Sequence, residues 1–201
     1  MTLTLSQRKR LAIIEAAIDE FKDNGYNASS MDAVAARAHV SKRTVYNHFP
    51  SKEALFEELV RQMITTARQV TECHYNDDLP IEGQLFSFAE QELNLLSQPR
   101  FLDLSRITMA EAMHSPELAR KILSNVTQQD SYLETWINQA IICDKLLNVD
   151  AKYATRQFLS LIKGLALWPQ ILTGLPCPDE QTTKQIVSDT VGMFLGRYKK
   201  V

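Results

Sequence analysis

The sequence predicts an all-α protein, and three observations support this fold class. The chain of 201 residues contains 6 Gly and 7 Pro, well below the usual share of these helix breakers. Apolar residues recur at intervals of three and four along most of the chain, which is the spacing of one helix face. Polar residues and prolines stand where such stretches begin, as helix N-termini require. We therefore expect about nine helices, arranged as a small N-terminal domain followed by a larger helical domain.

The composition excludes several classes of protein. With 45% apolar and 23% charged residues, the chain is too apolar to be disordered, and its net charge of -2 excludes a protein that is basic throughout. Three cysteines are too few for a disulfide framework, which favours a reducing cytoplasm. We expect neither a signal peptide nor a membrane partner, because Glu15 ends the first apolar stretch and Lys163 interrupts the longest one.

The first predicted helix extends from about residue 6 to residue 24. Leu11, Ile14, Ile18 and Phe21 fall on one face of it, and charged residues take the opposite face. The basic residues Arg8, Lys9 and Arg10 stand at its beginning. Gly25 follows at the position where a left-handed residue ends many helices.

Two short helices separated by a tight turn come next, over about residues 30–38 and 42–49. Ser29 is expected to cap the first of them, with Asp32 reaching back as in a capping box. Ser41 is expected to cap the second. Two short helices with such a turn form a helix-turn-helix unit.

The outward face of the third predicted helix carries cations, hydrogen-bonding groups and an aromatic ring, but no acid. Val45 would face inward, and Ala35 supplies the small residue that a close helix crossing needs. The outward residues are Lys42, Arg43, Thr44, Tyr46, Asn47 and His48. This mixture suits phosphate oxygens and base edges in the major groove of duplex DNA. In the first fifty residues, Lys and Arg outnumber Asp and Glu by seven to five, although the whole chain is slightly acidic.

The stretch from residue 8 to about residue 67 resembles the TetR/AcrR family of bacterial transcriptional regulators. The matching motifs, in order, are Gly25-Tyr26, Ser29-Ser30-Met31, Val34-Ala35, Val40-Ser41-Lys42, Thr44-Val45-Tyr46, His48-Phe49 and Ser51-Lys52. The rest of the chain looks most like the AefR-like branch, in residues 110–112, 116–119 and 194–198.

One residue departs from the family pattern. The family usually has glycine where His39 stands, because this turn residue tends to be left-handed. We expect His39 to adopt a positive φ with modest strain and to carry no chemistry.

The resemblance implies a homodimer that binds a palindromic operator in double-stranded DNA and represses transcription until a small, largely apolar inducer releases it. It implies a DNA-binding domain over residues 1–67, with the helix-turn-helix at 30–49, and a ligand-binding and dimerisation domain over residues 68–201. The implied DNA contacts are Ser30, Ser41, Lys42, Arg43, Thr44, Tyr46, Asn47, His48 and Lys52. Such a regulator would lie in the cytoplasm and on the nucleoid when bound.

The second half of the chain predicts further helices after a fourth that runs from Lys52 to about Cys73. The segments are 80–97, 99–114, 116–145 with or without a break, 150–173 and 179–200. The stretch 158–168 is apolar nearly all round, which predicts burial on more than one side. We expect a four-helix dimer interface formed by Phe158, Ile162, Leu165, Val187, Val191, Phe194 and Tyr198. A thick core within one chain is the alternative.

Aromatic and methionine residues in the middle of the chain predict an apolar pocket for the inducer. Its expected residues are Met63, Phe86, Phe101, Met109, Met113, Trp136 and Trp168, although each could equally belong to a plain core. The fourth helix would act as the lever, because it begins at the DNA and enters the larger domain. A ligand that favours a displaced fourth helix would spread the two DNA-binding heads.

Other chemistries find little support. Glu111 and His114 form one Glu-x-x-His pair, but a di-iron site needs two such pairs. Cys73 and His74 are neighbours whose side chains diverge on a helix. No phosphate loop, nucleophile motif or paired metal motif is present, so we expect no catalytic residue, no metal and no cofactor. Two alternatives stay open: a DNA-binding dimer of the same fold with a chromosome-organising or division role and no inducer, and an all-α enzyme.

Overall fold

The computed structural model describes residues 3–126 and 131–200, except for the side chains of residues 121–123, 125 and 126. These parts of the chain contain eleven helices and no strand. The helices are α1 (Leu5–Asn24), α2 (Met31–Arg37), α3 (Lys42–His48), α4 (Lys52–Val70), α5 (Ile81–Leu96), α6 (Pro99–His114), α7 (Pro116–Val126), α8 (Tyr132–Ile142), α9 (Ala151–Ala166), α10 (Trp168–Thr173) and α11 (Glu180–Tyr198).

The described residues form two compact units. The first unit contains residues 3–64 and 103–126, and the second contains residues 65–102 and 131–200. Helices α4 and α6 therefore each contribute residues to both units. The all-α prediction is confirmed. The predicted boundary after residue 67, between a DNA-binding and a ligand-binding domain, stays a prediction.

Two predicted segments are each divided, which accounts for eleven helices instead of about nine. The segment 116–145 becomes α7 and α8, and the segment 150–173 becomes α9 and α10. The second division occurs at Leu167, which ends α9 and begins α10 with φ -112° and ψ -55°. Pro169 follows in the first turn of α10, where its missing N–H needs no partner.

The first unit has one core that its helices share. Val45 of α3 is fully buried, and Ala35 lies buried in α2, as the helix-turn-helix prediction requires. Leu104 and Ile107 of α6 belong to the same core. Its larger buried side chains include Ile14, Ile18, Phe21, Val34, Val45, Phe49, Leu55, Phe56, Leu59, Leu104 and Ile107. The first helices are thus held together by apolar burial that extends to α6.

The turn between α2 and α3 has the geometry of a Schellman motif. The N–H of His39 donates to the carbonyl of Ala36 at 3.2 Å, and the N–H of Val40 donates to the carbonyl of Ala35 at 3.1 Å. His39 has a φ of 53°, so the predicted left-handed conformation is confirmed. The turn satisfies the last carbonyls of α2 without glycine.

The cap of α2 differs from the prediction. Ser30 is the N-cap, because its Oγ accepts a hydrogen bond from the N–H of Ala33 at 3.1 Å. Ser29 is buried, and its hydroxyl donates instead to the carbonyl of Gly25 at 2.7 Å. Asp32 does not reach back to the cap, since its carboxylate accepts from Lys42.

The core of the second unit is organised around packed aromatic rings of α5, α9 and α11. The ring centroid of Phe158 lies 5.9 Å from that of Phe88 and 5.2 Å from that of Phe194, whose centroid is 4.9 Å from that of Tyr198. Such offset and edge-to-face pairs favour a fixed packing.

The residues predicted for a dimer interface mostly lie in this core. Six of the seven are buried within the single chain, namely Phe158, Ile162, Val187, Val191, Phe194 and Tyr198. The physical reason is that α5 packs against both α9 and α11 and takes their most apolar faces. Leu165 is the exception, with 59% of its surface exposed.

None of the helices in the described residues combines the length and the hydropathy that crossing a membrane requires.

The conformation of His39 gives a first prediction about stability. Replacing it by glycine removes the penalty of about 1 kcal/mol for a left-handed backbone conformation. It also increases the conformational entropy that the chain loses on folding, at a similar cost. We expect His39→Gly to be at least as stable as wild type, and the β-branched His39→Val to lose about 1–2 kcal/mol. Urea unfolding followed by circular dichroism measures both. A destabilised His39→Gly would contradict the strain at this turn.

Candidate nucleic-acid interface

The burial of two residues turns the rest of α3 towards solvent. Val45 is 0% exposed and Phe49, directly after the helix, is 3% exposed. The residues predicted to contact DNA therefore fall on the outer side of the first unit. We call the following set the recognition surface: Ser30, Ser41, Lys42, Arg43, Thr44, Tyr46, Asn47 and His48. Within it Thr44 and His48 are half-buried, and the others are exposed.

The serine and threonine hydroxyl groups of the recognition surface keep donor capacity for DNA. The Oγ of Ser30 accepts from the N–H of Ala33, so its own O–H is left to donate to a phosphate oxygen. The Oγ of Ser41 accepts from the N–H of Thr44 at 3.2 Å and lies 2.8 Å from the Oγ1 of Thr44. One hydroxyl proton joins these two oxygens, and the other is available to a ligand.

The two cations of α3 have different surroundings. Arg43 is exposed and forms no ion pair in the part of the chain that the structure describes. Lys42 places its Nζ 2.9 Å from the carboxylate of Asp32, which raises the pKa of Lys42. The same Nζ lies 6.0 Å from the centre of the Tyr46 ring. Asp32 thus brings an acid to a surface for which the sequence predicted none.

Lys52 occupies a different environment from the one predicted. Its Nζ donates to the backbone carbonyls of Tyr26, Asn27 and Ser29 at 2.7, 3.2 and 3.0 Å. It also lies 4.5 Å from the centre of the Tyr26 ring. An ammonium has three N–H donors, so these carbonyls use all of them. Lys52 therefore fixes the loop that leads to Ser30 instead of reaching for a phosphate.

The N-terminal cations also divide into two groups. The Nη2 of Arg10 lies 2.9 Å from Glu58, and its guanidinium lies 5.1 Å from the centre of the Phe49 ring. These contacts join α1 to α4. Arg8 and Lys9 are exposed at the beginning of α1, where they could contact a DNA backbone.

Helix α6 supports the same loop from another direction, which the sequence did not reveal. The Nδ2 of Asn27 donates to the buried carboxylate of Glu111 at 3.3 Å, and Lys22 pairs with Asp103 at 2.7 Å. No local pattern relates residues so far apart in the chain. The acid Asp32 could have been found, because it occupies the first turn of a helix facing Lys42.

The residues predicted for an inducer pocket are divided between the two units, and their common pocket stays a prediction. Met63 and Met109 belong to the first unit, whereas Phe86, Phe101, Trp136 and Trp168 belong to the second. Phe86 and Phe101 pack against the second core, and Met113 of α6 is 73% exposed. Of the seven, Trp136 lines a cavity described below.

Two adjacent cavities lie in the second unit, with volumes of about 380 and 390 Å³. They share Cys73, His74 and Trp136. The indole N–H of Trp136 donates to the Oε1 of Gln84 at 3.0 Å, and the Nε2 of Gln84 donates to the carbonyl of Asn76 at 2.7 Å. Burial raises the pKa of Cys73 to about 12, which keeps this thiol neutral.

A groove of about 580 Å³ runs along the outer side of α9 and α11. Its walls include Tyr153, Ser160 and Leu161 from α9 and Met193 and Arg197 from α11. Tyr153 and Met193 are exposed. The groove also reaches Phe194 and Tyr198, whose side chains belong to the buried core.

The fold of the first unit and its recognition surface define a helix-turn-helix DNA-binding protein. Comparison with known families identifies it further. Residues 13–59 match the bacterial regulatory proteins of the tetR family, and residues 83–200 match the C-terminal domain of AefR-like transcriptional repressors. The chain therefore belongs to the TetR family of transcriptional regulators, which act by binding DNA and are not enzymes.

Known proteins of similar sequence and structure agree with this assignment. The chain is 34% identical to the HTH-type transcriptional regulator YhgD of Bacillus subtilis over 125 residues, which cover 59% of this chain and 65% of YhgD. A TetR family regulator from Pseudomonas syringae has a similar structure, with a TM-score of 0.87 and 36% identity over 99% of this chain and 100% of that one. The flavonoid-responsive regulator FrrA has a TM-score of 0.76 and 31% identity over 96% and 97% of the two chains.

The environment of Lys52 predicts separate effects on stability and DNA binding. In Lys52→Met, three carbonyls lose their donor, and we expect a loss of about 1–3 kcal/mol in the free energy of unfolding. In Arg43→Gln, we expect unchanged stability and weaker binding to duplex DNA. Thermal unfolding and fluorescence anisotropy with a labelled duplex measure the two properties. If Lys52→Met kept wild-type stability and lost only DNA affinity, Lys52 would be a direct phosphate contact.

Proposed function

We propose that this chain is a repressor that binds a palindromic operator as a homodimer and leaves it when a small, largely apolar ligand binds the second unit. The observation that carries the proposal is the exposed cationic surface of α3, which Val45 and Phe49 hold outward. The AefR-like match of residues 83–200 supports the role of repressor. The site of action would be the nucleoid, because the ligand of the recognition surface is DNA.

Exposed glycines on α9 and α11 support the homodimer. Gly164, Gly192 and Gly196 are exposed, and a Cβ built at each would meet no atom within 4 Å. A glycine inside a helix is less favourable than alanine by about 1 kcal/mol, so it needs a structural reason. Packing within the chain supplies none here. We infer that these positions admit the close approach of a second chain's helices.

Exposed apolar side chains lie on the same two helices as these glycines and on the short helix α10 that follows α9. Leu165, Trp168 and Leu172 follow one another on α9 and α10, and Met193 lies on α11. Together with the groove between α9 and α11 they form an apolar surface on the second unit. A two-fold axis through this surface would bury it and would replace the interface residues expected from sequence with their outward neighbours.

A two-fold dimer determines the form of the operator. Two recognition surfaces related by that axis bind two half-sites of opposite orientation, separated by about one helical turn or a multiple of it. Each bound phosphate releases counterions, so affinity should fall steeply with salt concentration.

The paired cavities of the second unit are the proposed ligand site. Their walls include the rings of Tyr75, Phe88, Tyr132 and Trp136, and each volume falls within the range of small-molecule pockets. Arg68 of α4 also lines the second cavity. A ligand here would contact the C-terminal end of α4, the helix whose N-terminal residues belong to the first unit. Among the solved structures, FrrA is named for its response to flavonoids, which supports ligand control.

Selection from a random duplex pool tests the proposal of an operator. Wild-type protein should enrich a sequence with two-fold symmetry, and footprinting across the genome should find a few sites near promoters. A consensus without symmetry would contradict the dimeric operator. Many scattered sites would instead support a chromosome-organising role.

The dimer surface is tested by Gly164→Leu. Gly164 lies four residues after Ser160 and so shares its helix face. Overpacking costs about 1–3 kcal/mol per site and occurs twice in a symmetric dimer, so the dimer dissociation constant should rise at least about 30-fold. Analytical ultracentrifugation measures this, and affinity for the selected operator should fall in parallel.

The matched control for this variant is Asn94→Leu, which adds the same side chain to the exposed surface of α5. It should leave both the dimer and operator binding unchanged. A dimeric Gly164→Leu with wild-type operator affinity would place the interface elsewhere.

The ligand site is tested by filling it. Gly83 lines the first cavity, and a Cβ there would meet no atom within 4 Å, so Gly83→Phe should fold and reduce the cavity. In the Trp168→Phe background Trp136 is the remaining tryptophan, and its fluorescence reports binding of a flavonoid and phenol panel. We expect compounds that release wild-type protein from the operator to lose that effect in Gly83→Phe but not in Asn94→Phe. Equal release in both variants would contradict this site.

A further inference from the structure

The recognition surface carries an ion pair that joins the two helices of the helix-turn-helix. The Nζ of Lys42, the first residue of α3, lies 2.9 Å from each carboxylate oxygen of Asp32 in the first turn of α2. Both side chains are 61% exposed, so the pair lies in solvent beside the proposed DNA contacts. Asp32 is two residues after Ser30, whose hydroxyl is placed to meet a phosphate.

We propose that Asp32 is a specificity-determining residue. On random DNA it keeps its ion pair with Lys42, so that Lys42 does not bind a phosphate; at the operator the ion pair opens and Lys42 binds a base edge. The proposal rests on the recognition surface defined above being the DNA contact, and it goes beyond the assignment of DNA binding itself.

The first argument is a count of charges. Affinity for random DNA depends on how many phosphates the protein neutralises, and each one steepens the salt dependence by about 0.9 in the slope of log K against log salt. Lys42 paired with Asp32 presents no net charge to a phosphate. Arg43 is the next residue and has no ion pair among the described residues, so it should contribute a full contact.

The second argument compares what Lys42 gains from each kind of DNA site. Moving from a carboxylate to a phosphate exchanges one anionic oxygen for another, and it leaves Asp32 unpaired beside a second anion. A contact to guanine O6 and N7 is different, because it discriminates between bases by about five- to 150-fold. An exposed ion pair changes an equilibrium by less than about five-fold, so the guanine contact can displace it.

Three other roles for Asp32 predict different results in binding or folding experiments. It could accept a hydrogen bond from a cytosine amino group, in which case its loss would weaken operator binding. It could simply complement the positive N-terminus of α2, in which case its loss would affect folding and not salt dependence. A third possibility is general repulsion of phosphates, which would not depend on Lys42.

The experiment measures binding of a random-sequence 24-base-pair duplex by fluorescence anisotropy at a series of KCl concentrations. The variants are Asp32→Asn, Lys42→Gln, Arg43→Gln and the double variant Asp32→Asn with Lys42→Gln. Asp19→Asn removes an exposed acid from α1 and is the matched control for net charge. Circular dichroism melts confirm that each variant is folded.

We expect Asp32→Asn to bind the random duplex about three- to ten-fold more tightly at about 0.1 M salt. The slope of log K against log salt should be steeper by about 1 for each DNA-binding unit. Lys42→Gln leaves Asp32 unpaired, so it should bind the random duplex somewhat more weakly than wild type but with an unchanged slope, whereas Arg43→Gln should lose about 1 unit of slope per DNA-binding unit. The double variant should keep the slope of Lys42→Gln, because the additional phosphate contact of Asp32→Asn is made by Lys42. Asp19→Asn should leave the slope unchanged.

The operator selected by wild-type protein provides the second readout. Asp32→Asn should keep operator affinity within about three-fold, so the ratio of operator to random binding should fall by about three- to ten-fold. A loss of operator affinity alone would instead assign Asp32 to base reading and overturn the proposal.

Three results on the random duplex have distinct meanings. If Lys42→Gln weakened binding as much as Arg43→Gln, Lys42 would already contact phosphate and the proposal would fail. If the steeper slope of Asp32→Asn persisted in the double variant, the additional phosphate contact would not be made by Lys42, and the proposal would also fail. If Arg43→Gln bound like wild type, the recognition surface itself would be misassigned.

Discussion

The anchoring of α3 by two apolar residues is the constraint on which the DNA-binding unit depends. A seven-residue helix has little stability of its own, so its orientation comes from what it buries. Val45 is buried in the core, and Phe49, the residue directly after α3, is buried beside it. The remaining side chains of α3 are then exposed or half-buried. The chemical character of the recognition surface follows from this single packing contact.

Polar contacts set the finer geometry of that surface. Lys52 holds the loop before α2 through three backbone carbonyls, and Glu111 holds the side chain of Asn27 in the same loop. Ser30 begins α2 directly after this loop and is positioned by it. Residues that do not touch DNA therefore decide where a DNA-contacting hydroxyl stands.

Local signals explain which parts of the structure the sequence could predict. The bounds of α1 to α3 agree with prediction to within about one residue, because helix caps, a turn and apolar periodicity depend on residues that are close in sequence. The partners of Lys52 and Asp32 escaped prediction, since they depend on how separate elements pack. Six of the seven residues predicted for the dimer interface lie in the core of the chain for a similar reason, and the interface itself stays a prediction. When a helix is apolar nearly all round, its sequence does not indicate which face packs within its own chain and which face is left for a partner.

The position of α6 in the first unit has a consequence for how such regulators can be recombined. Leu104 and Ile107 complete the core of the DNA-binding helices, although they lie more than thirty residues beyond Val70, the last residue of α4. A head transplanted as residues 1–67 would leave this core open and its Asn27 without the Glu111 carboxylate. Exchange of operator specificity between relatives would therefore succeed by grafting α3 alone more readily than by swapping the whole N-terminal module.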